Sequence, residues 1–248
     1  MYLEDFFSEN QKVAIAFSGG VDSSYLMYAA KKYAANVRAF YVKSLFQPKF
    51  EFDDAFKLAK SLDIEMEVID FDVLGNENIV CNNADRCYYC KKRIFELIKE
   101  SAARSGFDVI IDGTNASDDF SDRPGVRALK ELSILSPLYL CGITKDEVRR
   151  LSKEAGLFTW NKPAYACLAT RIESGRRITK EMLKTTEKAE DYLASLGLRD
   201  FRVRMLQNAA KIQVTAADIL LLTDNREKIV EELKQYYSDV YLDMEVRK

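Results

Sequence analysis

Apolar and polar positions alternate between two periods along the first two thirds of this chain. The run Val13-Ala14-Ile15-Ala16-Phe17 has the length and composition of a buried strand. It is followed by a helical pattern over about 23–34, a strand at 37–42, a helix over about 51–62 and a strand at 64–70. After a longer segment the pattern predicts a helix over about 87–105, a strand at 108–111 and a short helix near 124–132. Thr144-Lys145-Asp146-Glu147 has the spacing of a capping box and opens a helix expected to end near Gly156. Strands separated by helices of this length predict an α/β fold with a parallel sheet wrapped on both faces. Ligands in such sheets sit at the carboxyl ends of the strands.

The pattern changes near residue 170. A helical stretch over 179–196 ends at Gly197 and is followed by strand-like runs at Phe201–Leu206 and Lys211–Thr215. A helical stretch within 216–236 and the strand-like Val240–Val246 complete the chain. This α-β-β-α-β order predicts a small C-terminal α+β domain with an antiparallel sheet. Two domains are expected, 1–170 and 171–248, with the boundary inside the irregular segment 157–178. There is no internal repeat and no low-complexity linker.

Composition narrows the chemistry. The 37 Lys and Arg residues nearly balance the 39 Asp and Glu residues among 248, so totals give no strongly basic face and no nucleic acid partner is expected. No apolar stretch approaches the ~20 residues of a membrane span, and Met1-Tyr2-Leu3-Glu4-Asp5 lacks the basic start of a signal peptide. A cytoplasmic protein without a membrane partner is expected. The chain has no histidine, which removes the imidazole base, the Ser-His-Asp triad and every His metal ligand. Its five cysteines, Cys81, Cys87, Cys90, Cys141 and Cys167, are an odd number and argue against a disulfide framework.

The most specific local signal is Ser18-Gly19-Gly20-Val21-Asp22-Ser23, directly after the first strand and before the first long helix. A strand that empties through two glycines into a helix presents unpaired N–H groups at the positive end of a helix dipole, where polyphosphate binds. Gly19 and Gly20 allow a sharp turn and a close ligand approach. Asp22 offers a carboxylate to the divalent cation that accompanies phosphates. No Gly-Lys-Ser/Thr follows, so this is not a Walker A loop. The plainer alternative is an ordinary glycine turn.

Cys87 and Cys90 are three apart at a helix start, which puts both sulfurs on one face. The dipole and the adjacent Lys91, Lys92 and Arg93 favour thiolate. A Cys-x-x-Cys pair fits a redox couple, half a zinc site or two ligands of an iron–sulfur cluster. Cys167 lies in the proline-punctuated stretch Trp160–Arg171, and on its own reads equally as a buried apolar residue. Three cysteines on a cubane leave one iron open. A structural zinc would call for a fourth ligand, for which Cys81 is the candidate. Cys81 and Cys141 are otherwise read as small apolar residues.

The glycine loop resembles the PP-loop signature of the ATP pyrophosphatase superfamily. Nearly the whole chain is similar to the LarE sulfur transferases within it. The landmarks are residues 18–23, Asp85–Lys92, Asp112-Gly113-Thr114-Asn115, Arg123-Pro124-Gly125, Ser136-Pro137-Leu138 and Trp160–Arg171. The resemblance implies a parallel-sheet PP-loop domain of the adenine nucleotide alpha hydrolase-like kind. It also implies ATP-dependent sulfur insertion into a pyridinium-dicarboxylate mononucleotide, a step toward the nickel-pincer nucleotide cofactor of lactate racemase. ATP and Mg2+ would be held by Ser18, Gly19, Gly20, Asp22, Ser23 and Ser24. Ala16 and Phe17, with Val42 and Lys43 at the next strand end, would flank adenosine, and Gly113 and Thr114 would close the nucleotide site. A substrate carboxylate would attack the α-phosphorus, and sulfur would then displace AMP. Catalytic roles fall to Asp22 and Cys167.

Two sulfur sources occur in the family. In one form a single cysteine at the position of Cys167 gives up its own sulfur and becomes dehydroalanine. In the other, cysteines at the positions of Cys87, Cys90 and Cys167 hold a 4Fe–4S cluster that carries an extra sulfide. This chain has all three, so the cluster form is expected, supplied by sulfide or another sulfur donor. Arg202 and Arg204 alternate on one strand face, suited to forking around an anion or to facing solvent. By resemblance these two, with Glu190 and Arg171, bind the mononucleotide. Asn161 stands where the family pattern has Asp, and Lys211 and Gln213 stand where Arg and Glu usually follow the paired arginines. A homo-oligomer is expected. Rival readings are a tRNA thiolase with the same adenylation chemistry, an ammonia-using synthetase, and a nucleotide-binding module without catalysis.

Overall fold

A computed structural model of the chain describes residues 2–119 and 124–247. The chain divides into two compact units interleaved in sequence. Met1–Asp72 with Cys87–Lys162 forms the first, and Val73–Arg86 with Pro163–Lys248 forms the second. Arg123, part of one family landmark, lies outside the described residues.

The first unit begins with α1 (Leu3–Glu9), β1 (Lys12–Ala16), α2 (Val21–Tyr33), β2 (Asn36–Lys43), α3 (Lys49–Ser61) and β3 (Met66–Asp70). The one-turn α4 (Glu77–Val80) belongs to the second unit. The first unit resumes along α5 (Arg86–Arg104), then β4 (Val109–Ile111), α6 (Pro124–Glu131), α7 (Pro137–Leu140) and α8 (Lys145–Glu154). Its four strands lie in the order β3-β2-β1-β4, all pairs parallel, with Val13 opposite Val37 on one side and Val109 on the other. Parallel neighbours require crossovers, and the helices supply them. The central β1 is apolar in succession because both faces are covered: Val13, Ala14 and Ile15 have no exposed surface. Alternate residues of β2 feed different cores, Ala39 and Tyr41 one side, Phe40 and Val42 the other. The expected parallel sheet is thus present. The capping box forms as the spacing predicts, with Thr144 and Glu147 satisfying each other's backbone N–H groups.

In the second unit α9 (Lys180–Ser195) precedes β5 (Phe201–Leu206), β6 (Ala209–Val214), α10 (Ile219–Asp224), α11 (Arg226–Leu233) and β7 (Val240–Leu242). β5 and β6 form a tight antiparallel hairpin through Gln207, whose φ is 51°. β7 pairs with β6 in parallel, so the sheet is mixed rather than antiparallel. The reason is the connection: the intervening helices carry the chain back across the sheet before β7 begins. Segment 73–86 is stitched into this unit by Ile178 N–H to Val80 O and Gly175 N–H to Asn82 O, both 2.8 Å. The buried Asn82 also donates to Glu173 O at 2.8 Å. Among the described residues no helix is long and apolar enough to cross a membrane.

Candidate active site

The loop between β1 and α2 is held open by its own hydroxyls. Gly19 has φ 76°, a left-handed conformation, and a Cβ there would stand 3.1 Å from the Glu51 carbonyl oxygen. Gly20 caps α2 with no side chain, so the first-turn N–H groups receive no side-chain cap. Ser23 Oγ donates to Gly20 O at 3.2 Å and lies 3.0 Å from Ser18 Oγ. From behind, the nearly buried Lys162 ammonium donates to Gly19 O at 3.4 Å and pairs with Glu51 at 3.1 Å and Asp54 at 2.8 Å.

A cavity of about 330 Å3 opens over this loop at the carboxyl ends of the strands. Of the expected nucleotide residues, Ala16, Phe17, Ser18, Asp22, Ser23, Val42, Gly113 and Thr114 line it. Gly19, Gly20, Ser24 and Lys43 do not. Ser24 is fully buried with its hydroxyl unpartnered, and the Lys43 ammonium lies 4.9 Å over the Phe52 ring. Gly113 approaches the start of α2 so closely that a Cβ would stand 2.7 Å from Ser23 N. Beside it the buried Asp112 accepts from Thr114 Oγ1 and Ser136 Oγ, each at 2.6 Å. Sequence reasoning missed the far wall, which is α5: Lys91, Ile94, Phe95 and Ile98 line the cavity. Their spacing was legible as one helix face, but an apolar stripe reads as core. The Lys91 stem runs past Gly125, where a Cβ would stand 2.8 Å from Lys91 Cδ.

Asp22 has an asymmetric environment. Oδ2 accepts from Lys145 Nζ at 2.5 Å, while Oδ1 is buried with no hydrogen-bond partner. Burial raises the Asp22 carboxyl above its usual range, against the opposing hydrogen bond and charge of Lys145. An unpartnered carboxylate oxygen beside a phosphate-type loop is a donor chemistry that fits Mg2+.

Cys87 and Cys90 occupy the first turn of α5, the former exposed and the latter half-buried. Cys87 stands four, seven, eight and eleven residues before Lys91, Ile94, Phe95 and Ile98, on the same stripe that walls the cavity. None of the five cysteines is in a disulfide, and within either unit no three Cys, Asp or Glu side chains among the described residues converge as metal ligands. Cys167 precedes a short 3-10 turn, Leu168–Arg171, and its sulfur receives Arg86 Nη1 at 3.6 Å. Half-burial pushes the Cys141 thiol up.

In the second unit Arg171 is 1% exposed and Glu190 5%. They face each other, Nε to Oε1 at 2.7 Å and Nη2 to Oε2 at 3.1 Å. The remaining Arg171 donor goes to Ala166 O and Thr170 Oγ1, and the guanidinium lies 4.6 Å over the Tyr165 ring. Glu190 also accepts from Val203 N–H at 2.9 Å and Tyr165 OH at 2.5 Å. Burial alone would lower Arg171; the Glu190 hydrogen bonds and charge overcome it and raise it. Arg202 has a different setting. It donates to Ala164 O at 3.2 Å, and burial together with the charges of Arg171 and Arg247 pushes it down to about 10. Arg204 donates to Thr170 O at 2.8 Å and Gln213 Oε1 at 2.6 Å. Gln213 and Lys211 both reach Asp243, at 2.6 and 2.8 Å, so two of the three residues that depart from the family pattern share one network across the sheet.

Comparison with known proteins extends over nearly the whole chain. A family model described as the tRNA methyl transferase HUP domain matches residues 11–120. An uncharacterised protein of Synechocystis is 35% identical over 241 residues, 97% of this chain and 85% of that protein. The pyridinium-3,5-bisthiocarboxylic acid mononucleotide synthase of Lactiplantibacillus plantarum is 33% identical over 228 residues, 90% of this chain and 83% of the synthase. A tRNA-specific 2-thiouridylase of Thermotoga is 26% identical over 193 residues, 61% of this chain and 54% of that enzyme.

Proposed function

We infer the reaction from one premise: this chain belongs to the LarE family of ATP-dependent sulfur transferases, within the PP-loop superfamily. Its substrate, on our reading, is a pyridinium-dicarboxylate mononucleotide, one carboxylate of which becomes a thiocarboxylate. The observation that carries this reading is the cavity over residues 18–23, with Asp22 in its wall and one oxygen of that carboxylate without a hydrogen-bond partner.

ATP would lie with its phosphates against the first-turn N–H groups of α2 and the Ser18 and Ser23 hydroxyls. Asp22 would hold Mg2+ against them. The ionised substrate carboxylate attacks the α-phosphorus, the bond to the bridging oxygen breaks, and pyrophosphate leaves with the electron pair. Sulfur then attacks the acyl carbon and AMP departs. A carboxylate nucleophile needs no deprotonation, which is why a chain without histidine suffices. The wall residues Phe17, Phe95 and Ile98 exclude water from the adenosine end.

For the sulfur, the thiol donors fit an iron–sulfur cluster: Cys87 and Cys90 share one face at a helix start beside Lys91, Lys92 and Arg93. We propose that Cys87, Cys90 and Cys167 are its protein ligands. Such a cluster, when bound, supplies an open iron on which an extra sulfide is carried. One observation favours a second reading: the Cys167 sulfur has a guanidinium beside it, a setting that also suits a lone cysteine giving up its own sulfur. Arg202 is proposed to hold the anionic end of the mononucleotide, because its positive surroundings are relieved by an anion. Arg204 would assist it, with Arg171 and Glu190 supporting the same site.

The test uses protein prepared without oxygen. Pyrophosphate release that depends on the mononucleotide, with about four iron and four acid-labile sulfide per chain, is expected. Release with tRNA and none with the mononucleotide would overturn the substrate assignment. Stoichiometric conversion of Cys167 to dehydroalanine without iron would replace the cluster with the sacrificial route.

A further inference from the structure

The Asp22 carboxylate is half occupied. Oδ2 pairs with the Lys145 ammonium at 2.5 Å, and Oδ1 is buried without a hydrogen-bond partner. Lys145 arrives from 123 residues away in sequence, as the first residue of α8. Its backbone is fixed: the Thr144–Glu147 capping box sets the helix start, and the Lys145 N–H donates to Ser117 Oγ at 3.0 Å. The four-carbon stem is therefore the movable part. Arg149 and Asp118 also face Asp22 and act on it in opposite directions.

We propose that Lys145 is a displaceable stand-in for the metal, neutralising Asp22 in the nucleotide-free protein and leaving the carboxylate when Mg2+ arrives with ATP. The physical case is a competition for one oxygen. A buried carboxylate without a partner is costly, and Lys145 offsets that cost while the loop is empty. Mg2+ gives up its waters reluctantly and needs ideally placed oxygens, so one contested carboxylate does not suffice for it. Mg2+ bound to a triphosphate brings further oxygen ligands of its own, and the phosphates offer the released ammonium a new anion. Free metal should therefore bind weakly before nucleotide, and the metal–nucleotide complex should bind as a unit. The inference rests on the Mg2+–ATP reading of the cavity.

The experiment is titration of nucleotide-free protein with Mn2+, followed by electron paramagnetic resonance, on wild type, Lys145→Met, Lys145→Gln and Lys145→Arg. Loss of the ammonium is expected to tighten Mn2+ binding about tenfold in the Met and Gln variants, an interaction worth one pKa unit. Arg should restore weak binding, and adding Asp22→Asn to Lys145→Met should abolish the gain. Thermal melts identify folded variants, and two neutral replacements guard against one that does not fold. Equal Mn2+ affinity in wild type and folded neutral variants overturns the proposal whatever happens to catalysis. Failure of the underlying reading shows separately, as absence of Mg2+–ATP binding to wild type in calorimetry, and takes the proposal with it.

Discussion

The loop at Ser18–Ser23 and the knot around Arg171 both carry buried charge, and they are built on opposite terms. At the loop a carboxylate oxygen is left without a partner and the first turn of α2 receives no side-chain cap. At the knot every Arg171 nitrogen has an acceptor, and both Glu190 oxygens accept twice. Unfinished polar bonding costs stability and marks a place where something else binds; finished bonding marks a joint. Arg202, whose neighbours are mostly positive, resembles the loop rather than the knot.

That contrast is open to direct attack. Asp22→Asn should cut ATP-dependent pyrophosphate release by at least about a thousandfold, as expected for loss of a charged group serving the transferring phosphoryl, while the melting temperature holds or rises. A large loss of stability instead would place Asp22 with the knot. Glu190→Gln should do the reverse and cost at least about 3 kcal/mol in urea unfolding, because a buried guanidinium loses its counter-charge. Unchanged stability would show that the knot is not a joint. Gly113→Ala drives a methyl into the Asp22–Ser23 backbone and should cost about 1–3 kcal/mol with weaker ATP binding in calorimetry. Arg202→Gln should raise the KM for the mononucleotide about tenfold at unchanged stability, the value of one charge-assisted bond.

The smallest effect concerns pH. Hydrogen bonds from Lys211 and Gln213 hold Asp243 down to about 2, below its ordinary 3.8. A depressed carboxyl contributes stability fully above its ordinary value and loses it as pH falls toward 2. Asp243→Asn should lower stability slightly in the neutral region and flatten that acid limb, the variant and wild-type curves converging as pH falls to about 2.

Local features were legible in the sequence and long-range ones were not. The β1 run, the two glycines and the capping box at Thr144 each act within one turn of chain, so their pattern is their structure. The wall at Lys91–Ile98 had a visible period, yet an apolar helix stripe looks the same facing a core or a cavity. Lys145 against Asp22, and Lys162 against Gly19, join residues more than a hundred positions apart, and neither has a local signature. Arg171 is legible as a charge near Cys167 and Glu190 as one on a helix, but only the fold decides whether they face each other or a ligand. A strand-like run such as Val240–Val246 carries no sign of direction; the helices before it, which bring the chain back across the sheet, carried the information that β7 is parallel. Segment 73–86 joins the second unit without any change of composition to announce it.

α5 has a mechanical consequence. Cys87 and Ile98 stand on one face of a single helix, about 17 Å apart at 1.5 Å per residue. A helix transmits displacement along its length with little bending. A base seated against Ile98 and Phe95 would lean on the same rod that carries Cys87 and Cys90, and a shift of that rod would reach the sulfur end without a messenger in between.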